Sequence, residues 1–389
     1  MKNWKRLLAL FLSGAMALSL CACNSGESTE SPSSDPSEEV SADPDASASP
    51  EIVADLSQSA LEFAVGLSPT DVLLTVNGDE VQASLLCYFL GQACIQTQQY
   101  MSSFGMNLTD MPDMAGDLLE QGVQLSLYHT IVRQKAAELG CLLTDDQTAE
   151  VKEGLADPQL ENLIPLWDLT DEAVQFIFEL NPYYENLLNA VTHELSEEEL
   201  EAYLDEQGEF YVKHILLKTT NDQEQPLDEA AVAEKKQLAE DLLAQLQAAE
   251  DMPAKFDELM NEYSEDGGLA TNPDGYVFNS EDSLVGGFRE AALALEEGQL
   301  SGLVETDYGY HIMLRLAFTD EMKESYQTTI RQDDLEEQMN QWMEEAEVVR
   351  ADALSTLDTL DYYVRLAAYQ QALSEQQQAD APLESGGVG

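Results

Sequence analysis

Two histidines are the residues whose type and surroundings most clearly suggest chemistry. The chain contains only four histidines, and His214 and His311 each stand in a short apolar run of strand-forming residues, FYVKHILLK and YGYHIMLRL. Both side chains should therefore lie at or near the core of one sheet. Such imidazoles can form a polar pair with fixed tautomers, and they are also common metal ligands. Third and fourth ligands are not found at short spacing, so the pattern favours a histidine pair without metal or cofactor.

The segments around these histidines predict a small α/β domain over residues 208–318. The first histidine strand is followed by a charged helical segment at about 229–249 and by the amphipathic run KFDELMNEYSEDGG. A turn region rich in Gly, Asn, Pro and Asp leads through GFREAALALEEGQLSGLVET to the second histidine strand. A strand, intervening helices and a returning strand place both histidines in one domain.

Four sequence blocks of this domain, in the same order, resemble the parvulin family of peptidyl-prolyl cis-trans isomerases. They are YVKHILLK, FDELMNEYSEDGG, DGYVF and GFREAALALEEGQLSGLVETDYGYHIMLRL. The resemblance implies that His214 and His311 face each other beneath a catalytic cleft as a hydrogen-bonded pair. It also places Asp266 at the family's position for a polar Cys or Asp, and Thr306 at a hydroxyl position near the second histidine. These four residues are therefore the candidate catalytic residues.

The same resemblance assigns three apolar side chains to the wall that receives a proline ring: Leu284, Phe288 and Phe278. The stretch that precedes Phe288 is one residue longer than is typical, so Val285 is an alternative to Leu284. The usual glycine-rich turn of the family appears here as NPDGYVF, with Pro273 in place of a glycine. This departure leaves two functions open, an active prolyl isomerase and a catalytically inactive holding chaperone.

The rest of the folded chain is predicted to be mostly helical. Residues 71–207 begin with a hairpin signal at Asn77-Gly78 and continue with several helical patterns, and residues 319–373 are helical again. The predicted fold class is α+β, with the parvulin domain inserted between the N- and C-terminal parts of a helical domain. A disordered tail is expected at 374–389. This layout resembles that of PrsA-like extracytoplasmic foldase lipoproteins, with a helical chaperone domain similar to that of SurA.

The start of the chain resembles the signal of a bacterial lipoprotein. Residues 1–22 combine a basic start with an apolar stretch, and the ending Leu-Cys-Ala-Cys resembles a lipobox. Cys23 is the predicted lipidated N-terminus, because Leu20 is too large for the position before a modified Cys21. The segment 23–70 is predicted to be a disordered acidic tether rich in Ser and Pro. The expected location is the extracytoplasmic face of the membrane.

The strong negative charge narrows the choice of partners. The sequence has 75 acidic and 17 basic residues, a formal net charge of -58 at pH 7. Nucleic-acid binding is excluded, because it requires Lys and Arg to displace counterions from phosphates. The expected partners are unfolded or partly folded exported proteins and the membrane, reached through the lipid at Cys23. A homodimer is left open.

Two cysteines of the first helical region, Cys87 and Cys94, are expected to be buried small apolar residues. They stand seven residues apart in a helical pattern, which puts them on one face but too far apart for a mutual disulfide. Either of them could instead meet Cys141.

Overall fold

The computed structural model of the protein covers most of the folded chain. The residues that it describes are 52–221, 223, 225–279 and 282–380. The predicted signal at 1–22, the predicted lipidation site Cys23 and residues 381–389 of the predicted tail lie outside the described residues. The described chain divides into two compact units. The inserted unit is His193–Asp333, and the helical unit combines the residues on either side of it.

Helices and strands are numbered here in chain order. Before the insertion they are α1 (Ala60–Val65), β1 (Val72–Val76), β2 (Asp79–Gln82), α2 (Ala83–Ser102), α3 (Ala115–Leu139), α4 (Asp145–Leu155), α5 (Leu160–Trp167) and α6 (Asp171–Val191). The inserted unit contains α7 (Glu197–Gln207), β3 (Phe210–Lys218), α8 (Glu229–Ala248), α9 (Met252–Tyr263), β4 (Tyr276–Phe278), α10 (Phe288–Leu293), β5 (Val304–Thr306) and β6 (Gly309–Leu316). The chain continues through α11 (Asp320–Glu345), β7 (Val348–Arg350), α12 (Asp352–Thr356) and α13 (Thr359–Asp380).

A three-stranded sheet in the order β2-β1-β7 joins the two ends of the helical unit. Asn77 and Gly78 form the turn of the predicted β1–β2 hairpin, with φ values of 51° and 95°, the positive values that a two-residue turn of this kind requires. β7 then pairs antiparallel with β1, with Arg350 opposite Leu74. The sequence predicts only helix over 319–373, so this strand corrects the prediction.

Helix α2 lies in the core of the helical unit. Its Leu86, Cys87 and Leu90 side chains are fully buried. Gly91 permits a close approach of neighbouring side chains, because a Cβ atom at this position would lie 2.5 Å from a ring carbon of Trp167. Because this helix is tightly packed, even one added methyl group should lower the free energy of unfolding.

The predicted tether at 23–70 extends too far into the folded chain. Residues 60–65 form α1, and its Ala60, Leu61 and Ala64 side chains are buried in the core of the helical unit. The short apolar pattern LEFAV is enough to anchor one and a half turns of helix against a larger core. The prediction of a disordered tether is therefore wrong for α1.

The predicted disordered tail at 374–389 also begins too early. Helix α13 continues to Asp380, and the Gln377 side-chain amide donates a hydrogen bond to the carbonyl oxygen of Asn162 at 3.5 Å. The polar run SEQQQAD has no core-facing stripe to signal a helix, yet it extends one that is already nucleated. The prediction is therefore wrong for 374–380.

The inserted unit is built on a four-stranded antiparallel sheet in the order β4-β3-β6-β5. Alternate residues of β3 and β6 face opposite sides of this sheet. One side packs on α8 and α9 through Ile215, Leu217 and Ile312. The other side carries Val212 and Met313, which pack with α10. A small sheet domain inserted into a mostly helical one confirms the predicted α+β class.

Among the described residues, none of the helices combines the length and the apolar character needed to span a bilayer.

Candidate active site

The sheet register brings the two candidate histidines together on the α10 side of the sheet. His214 lies opposite Met313, and His311 lies opposite Leu216, so the two histidines are diagonal neighbours on adjacent strands. Their rings are nearly parallel, with centroids 5.4 Å apart and an interplanar angle of 11°. The Nδ1 atoms of the two rings lie 3.2 Å apart, within hydrogen-bonding distance.

A chain of hydrogen bonds runs through this pair to the other two candidate catalytic residues. At one end, Nε2 of His214 lies 3.2 Å from Oδ2 of Asp266. At the other end, Nε2 of His311 lies 2.8 Å from the hydroxyl oxygen of Thr306. The four candidate residues therefore form one continuous relay, although their catalytic roles stay a prediction.

The chemistry of the end groups gives this relay a single direction. A carboxylate only accepts hydrogen bonds, so Nε2 of His214 carries the proton donated to Asp266. In a neutral imidazole the other nitrogen is then an acceptor, so Nδ1 of His311 donates to Nδ1 of His214. Nε2 of His311 is left as an acceptor, and the hydroxyl of Thr306 donates a hydrogen bond to it.

The loop that carries Asp266 is fastened to β3 by its backbone. The amide of Glu265 donates to the carbonyl oxygen of Leu216 at 2.7 Å, and the amide of Leu216 donates to the hydroxyl of Ser264 at 3.1 Å. The amide of Gly268 donates to the second carboxylate oxygen of Asp266 at 3.2 Å. The carboxylate is thus held at a fixed distance from the strand of His214.

Hydrogen bonding and burial act in opposite directions on the acid and on the buried histidine. The hydrogen bond from His214, the largest effect, holds the pKa of Asp266 well below its usual range, with help from Tyr276 and Gly268 and against the effect of burial. Burial, together with the neighbouring His214, lowers the pKa of His311 to about 4. At neutral pH the relay therefore contains an ionised carboxylate and a neutral His311.

Tyr276 is a further partner of the relay that the sequence analysis does not identify. Its hydroxyl donates a hydrogen bond to Oδ2 of Asp266, the oxygen that also faces His214. The residue lies on β4 opposite Val212, within the block DGYVF. The sequence does show an aromatic residue directly after Gly275. Its contact with Asp266, however, depends on the path of the loop that precedes β4.

The predicted apolar wall lies beside the histidines. Phe288 meets both imidazoles edge to face, with centroids 5.2 Å from each, and Phe278 lies 6.0 Å from Phe288. Phe288 is only 3% exposed, so it forms the floor of this region, whereas Phe278 is half-buried. Leu284 and its alternative Val285 are both half-buried against the same cluster. Both side chains therefore fit the predicted wall equally well.

Thr306 reaches His311 because β5 and β6 meet in a tight turn. Thr306 lies opposite Gly309 in the sheet. Gly309 has a φ of 144°, and a Cβ atom there would collide with the backbone carbonyl of Leu217. The turn therefore requires glycine.

The described residues contain no group of three or more His, Cys, Asp or Glu side chains arranged to hold a metal ion. The imidazole nitrogens of His214 and His311 are all engaged within the relay. The pair therefore does not present a free edge to a metal.

The sequence of the inserted unit decides its family. Residues 214–317 match the family described as Rotamase, the PPIC-type PPIASE domain. This segment is a PPIC-type parvulin domain. The match contains all four residues of the relay and the three residues of the predicted wall.

Curated relatives are similar to part of the chain. The chaperone SurA of Pseudomonas fluorescens is 31% identical over 141 residues, which are 35% of this chain and 30% of SurA. The foldase protein PrsA of Halalkalibacterium halodurans is 32% identical over 138 residues, which are 34% of each chain. The chain therefore spans about a third of the length of these relatives. Among solved structures, PrsA from Bacillus cereus is similar at 17% identity and a TM-score of 0.26, covering 82% of this chain and 96% of that one.

Proposed function

We propose that this protein is a membrane-anchored extracytoplasmic foldase whose parvulin domain catalyses cis-trans isomerisation of X-Pro bonds in exported proteins. The observation that carries the proposal is the relay from Asp266 through His214 and His311, set against the apolar cluster around Phe288. An apolar wall beside a fixed set of polar groups is what a site for a proline ring and its amide requires.

The reaction requires no covalent step. Rotation about the X-Pro bond has a barrier of roughly 18–20 kcal/mol because it breaks amide resonance. An apolar slot that removes water from the amide favours the twisted form, since water stabilises the more polar planar form. Phe278, Phe288 and Leu284 would hold the proline ring. The relay would keep the polar side of the slot fixed, so that the slot binds the twisted amide better than either planar state.

The helical unit would act as a chaperone that holds unfolded segments. Several large apolar side chains near the end of α2 are exposed: Tyr100, Phe104, Met106 and Met111. Methionine and aromatic side chains suit varied apolar partners because they adapt their packing. Lipidation at Cys23 would keep this activity at the membrane surface, and the names of the SurA and PrsA relatives support the chaperone and foldase roles.

The test is an isomerase assay on the full chain with a proline peptide. We expect Asp266→Ala to lower kcat/KM by roughly tenfold or more, because it removes the charged end of the relay. The matched control is Asp241→Ala, since Asp241 is an exposed residue of α8 whose carboxylate accepts a hydrogen bond from Gln237. Equal activity of both variants and the unaltered chain would reject the proposed role of the relay.

The second candidate function is a holding chaperone without isomerase activity. It is favoured by the altered turn NPDGYVF, in which Pro273 replaces a glycine of the family pattern. If the full chain fails to accelerate isomerisation but suppresses aggregation of an unfolded protein, this second function replaces the first.

A further inference from the structure

We infer that Tyr276 is a positioning residue of the parvulin domain, which acts through Asp266, and that Gly268 is required because its missing side chain leaves the space for the Tyr276 hydroxyl. The inference rests on the proposed isomerase function for its catalytic meaning. Its geometric part concerns only the relay, and it can be tested without an activity measurement.

The position of Tyr276 is set from three sides. Its backbone pairs with Val212 at the edge of the sheet. Its ring stacks on Phe278, with centroids 5.7 Å apart and an interplanar angle of 15°. A Cβ atom at residue 268 would clash with its hydroxyl, so that Gly268 could not carry a side chain without displacing that hydroxyl. The tyrosine is therefore held with its hydroxyl directed at Asp266.

Oxygen Oδ2 of Asp266 receives donors from two strands. His214 donates to it from β3 and Tyr276 donates to it from β4, while Gly268 donates to the other oxygen. A tyrosine hydroxyl has one proton, and it is used here on the carboxylate. Tyr276 thereby holds the carboxylate in place and favours its ionised form. The direction of the relay depends on this form, because an ionised carboxylate only accepts hydrogen bonds.

The titratable groups that face Asp266 are few. They are His214 on β3, Tyr276 on β4 and, one ring further away, His311 on β6. Removal of the Tyr276 hydroxyl takes away a donor that stabilises the carboxylate. The pKa of Asp266 should then rise, because one of the hydrogen bonds that lower it is lost.

The first experiment compares the full chain with Tyr276→Phe, which keeps the ring stacked on Phe278. We expect kcat/KM at neutral pH to fall by about 2- to 12-fold, the effect of one hydrogen bond. We expect the acid limb of the profile of kcat/KM against pH to move up by about one unit. A uniform loss at every pH, with an unmoved acid limb, would mean that Tyr276 only stabilises the fold and would overturn the inference.

The second measurement needs no activity. The chain has only four histidines, so ring ¹⁵N signals of a histidine-labelled sample can be followed during an acid titration. In Tyr276→Phe the histidine ring signals that respond to protonation of the neighbouring Asp266 carboxylate should change at a higher pH than in the unaltered chain. An inactive unaltered chain with this shift would reject the proposed function but keep the positioning role, whereas an unshifted titration would reject the role itself.

The third experiment uses neighbouring glycines as a matched pair. Gly268→Ala should displace the Tyr276 hydroxyl and reproduce the pH shift of Tyr276→Phe, whereas Gly267→Ala meets nothing within 4 Å and should leave the profile unchanged. In the Tyr276→Phe background, Gly268→Ala should add little further shift, because the hydroxyl is already absent and the nearest remaining ring atom lies at 3.3 Å. Additive shifts in the double variant would contradict the proposed link between these two positions.

Discussion

His214 and His311 meet through a diagonal contact and not through direct pairing across the sheet. Their Nδ1 atoms lie 3.2 Å apart, although His311 is paired with Leu216, two residues along β3 from His214. The same step recurs on the next strand pair, where Thr306 is paired with Gly309 but contacts His311. Because a slip of one residue would turn one ring to the opposite face of the sheet, the relay depends on the exact register of three strands.

Replacement of Thr306 should weaken the far end of the relay. Thr306→Val keeps the shape of the side chain but removes the donor to Nε2 of His311, and it leaves that buried nitrogen unpaired. We expect kcat/KM for proline-peptide isomerisation to fall by about 2- to 12-fold, the effect of one net hydrogen bond. Thr328→Val is the control, since Thr328 is exposed on α11 and donates only to the backbone of Glu324. Equal activity of the two variants would contradict the role of Thr306.

Acid should destabilise the parvulin domain before it removes the Asp266 charge. Burial lowers the pKa of His311 from 6.5 to about 4 in the folded chain, so the unfolded chain binds more protons between these values. The free energy of unfolding should fall by up to about 3 kcal/mol as the pH drops through this window. The pKa of Asp266 is also lowered, so its contribution is present above its unfolded value of 3.8 and is lost only at lower pH.

Hydrogen exchange of β3 and β6 peptides, measured by mass spectrometry between about pH 7 and pH 4 and corrected for the intrinsic exchange rate, would detect this loss. His311→Asn should flatten the dependence on pH. His193→Gln should not change it, because His193 is 72% exposed at its side chain. A pH dependence that survives His311→Asn would contradict the assignment.

The core around α2 should reject one added methyl group. Gly91→Ala would bring a Cβ atom to 2.5 Å from the Trp167 ring and to 3.0 Å from the hydroxyl oxygen of Tyr362. We expect a loss of about 1–3 kcal/mol in the free energy of unfolding of the helical unit. Gly116→Ala is the matched control in helix α3, where the new Cβ meets nothing within 4 Å and a helical Gly→Ala change is neutral or stabilising.

Urea unfolding followed by tryptophan fluorescence suits this comparison, because Trp167 and Trp342 both belong to the helical unit. Prolyl isomerase activity in dilute urea should outlast the fluorescence change in Gly91→Ala. Equal midpoints for the two glycine variants would show that the core is looser than the structure indicates.

The cysteines should differ sharply in reactivity. Cys87 and Cys94 are free and fully buried, and burial raises the pKa of each thiol to about 12. Since the thiolate is the reactive form, neither should react with iodoacetamide at pH 8 until the helical unit unfolds. Cys141 is half-buried and should be labelled first, which peptide mapping can establish. Early labelling of Cys87 would contradict this order.

The sequence identifies the relay because its members stand in segments with strong local signals. The apolar runs around His214 and His311 predict strands, and the order of the blocks supplies Asp266 and Thr306. Period-two alternation then fixes which strand residues share a face. The sequence does not predict the hydrogen bond from Tyr276 to Asp266, because this contact depends on the path of an irregular loop and on the absence of a side chain at Gly268.

The misjudged boundaries of the helical unit have a different cause. Helix α1 and strand β7 contain only six and three residues, too few for a periodic pattern to be recognised. Each is stabilised by residues distant in sequence, such as Leu74 for β7. Local propensity carries almost none of that information.

The pairing of β7 with β1 dictates an order of events during biosynthesis. Leu74 of β1 can pair with Arg350 of β7 only after the whole parvulin domain between them has been synthesised. The parvulin domain can therefore fold while β1 still has an unpaired edge. Before β7 is synthesised, this protein would pass through a stage in which the edge of its own first strand is exposed to aggregation.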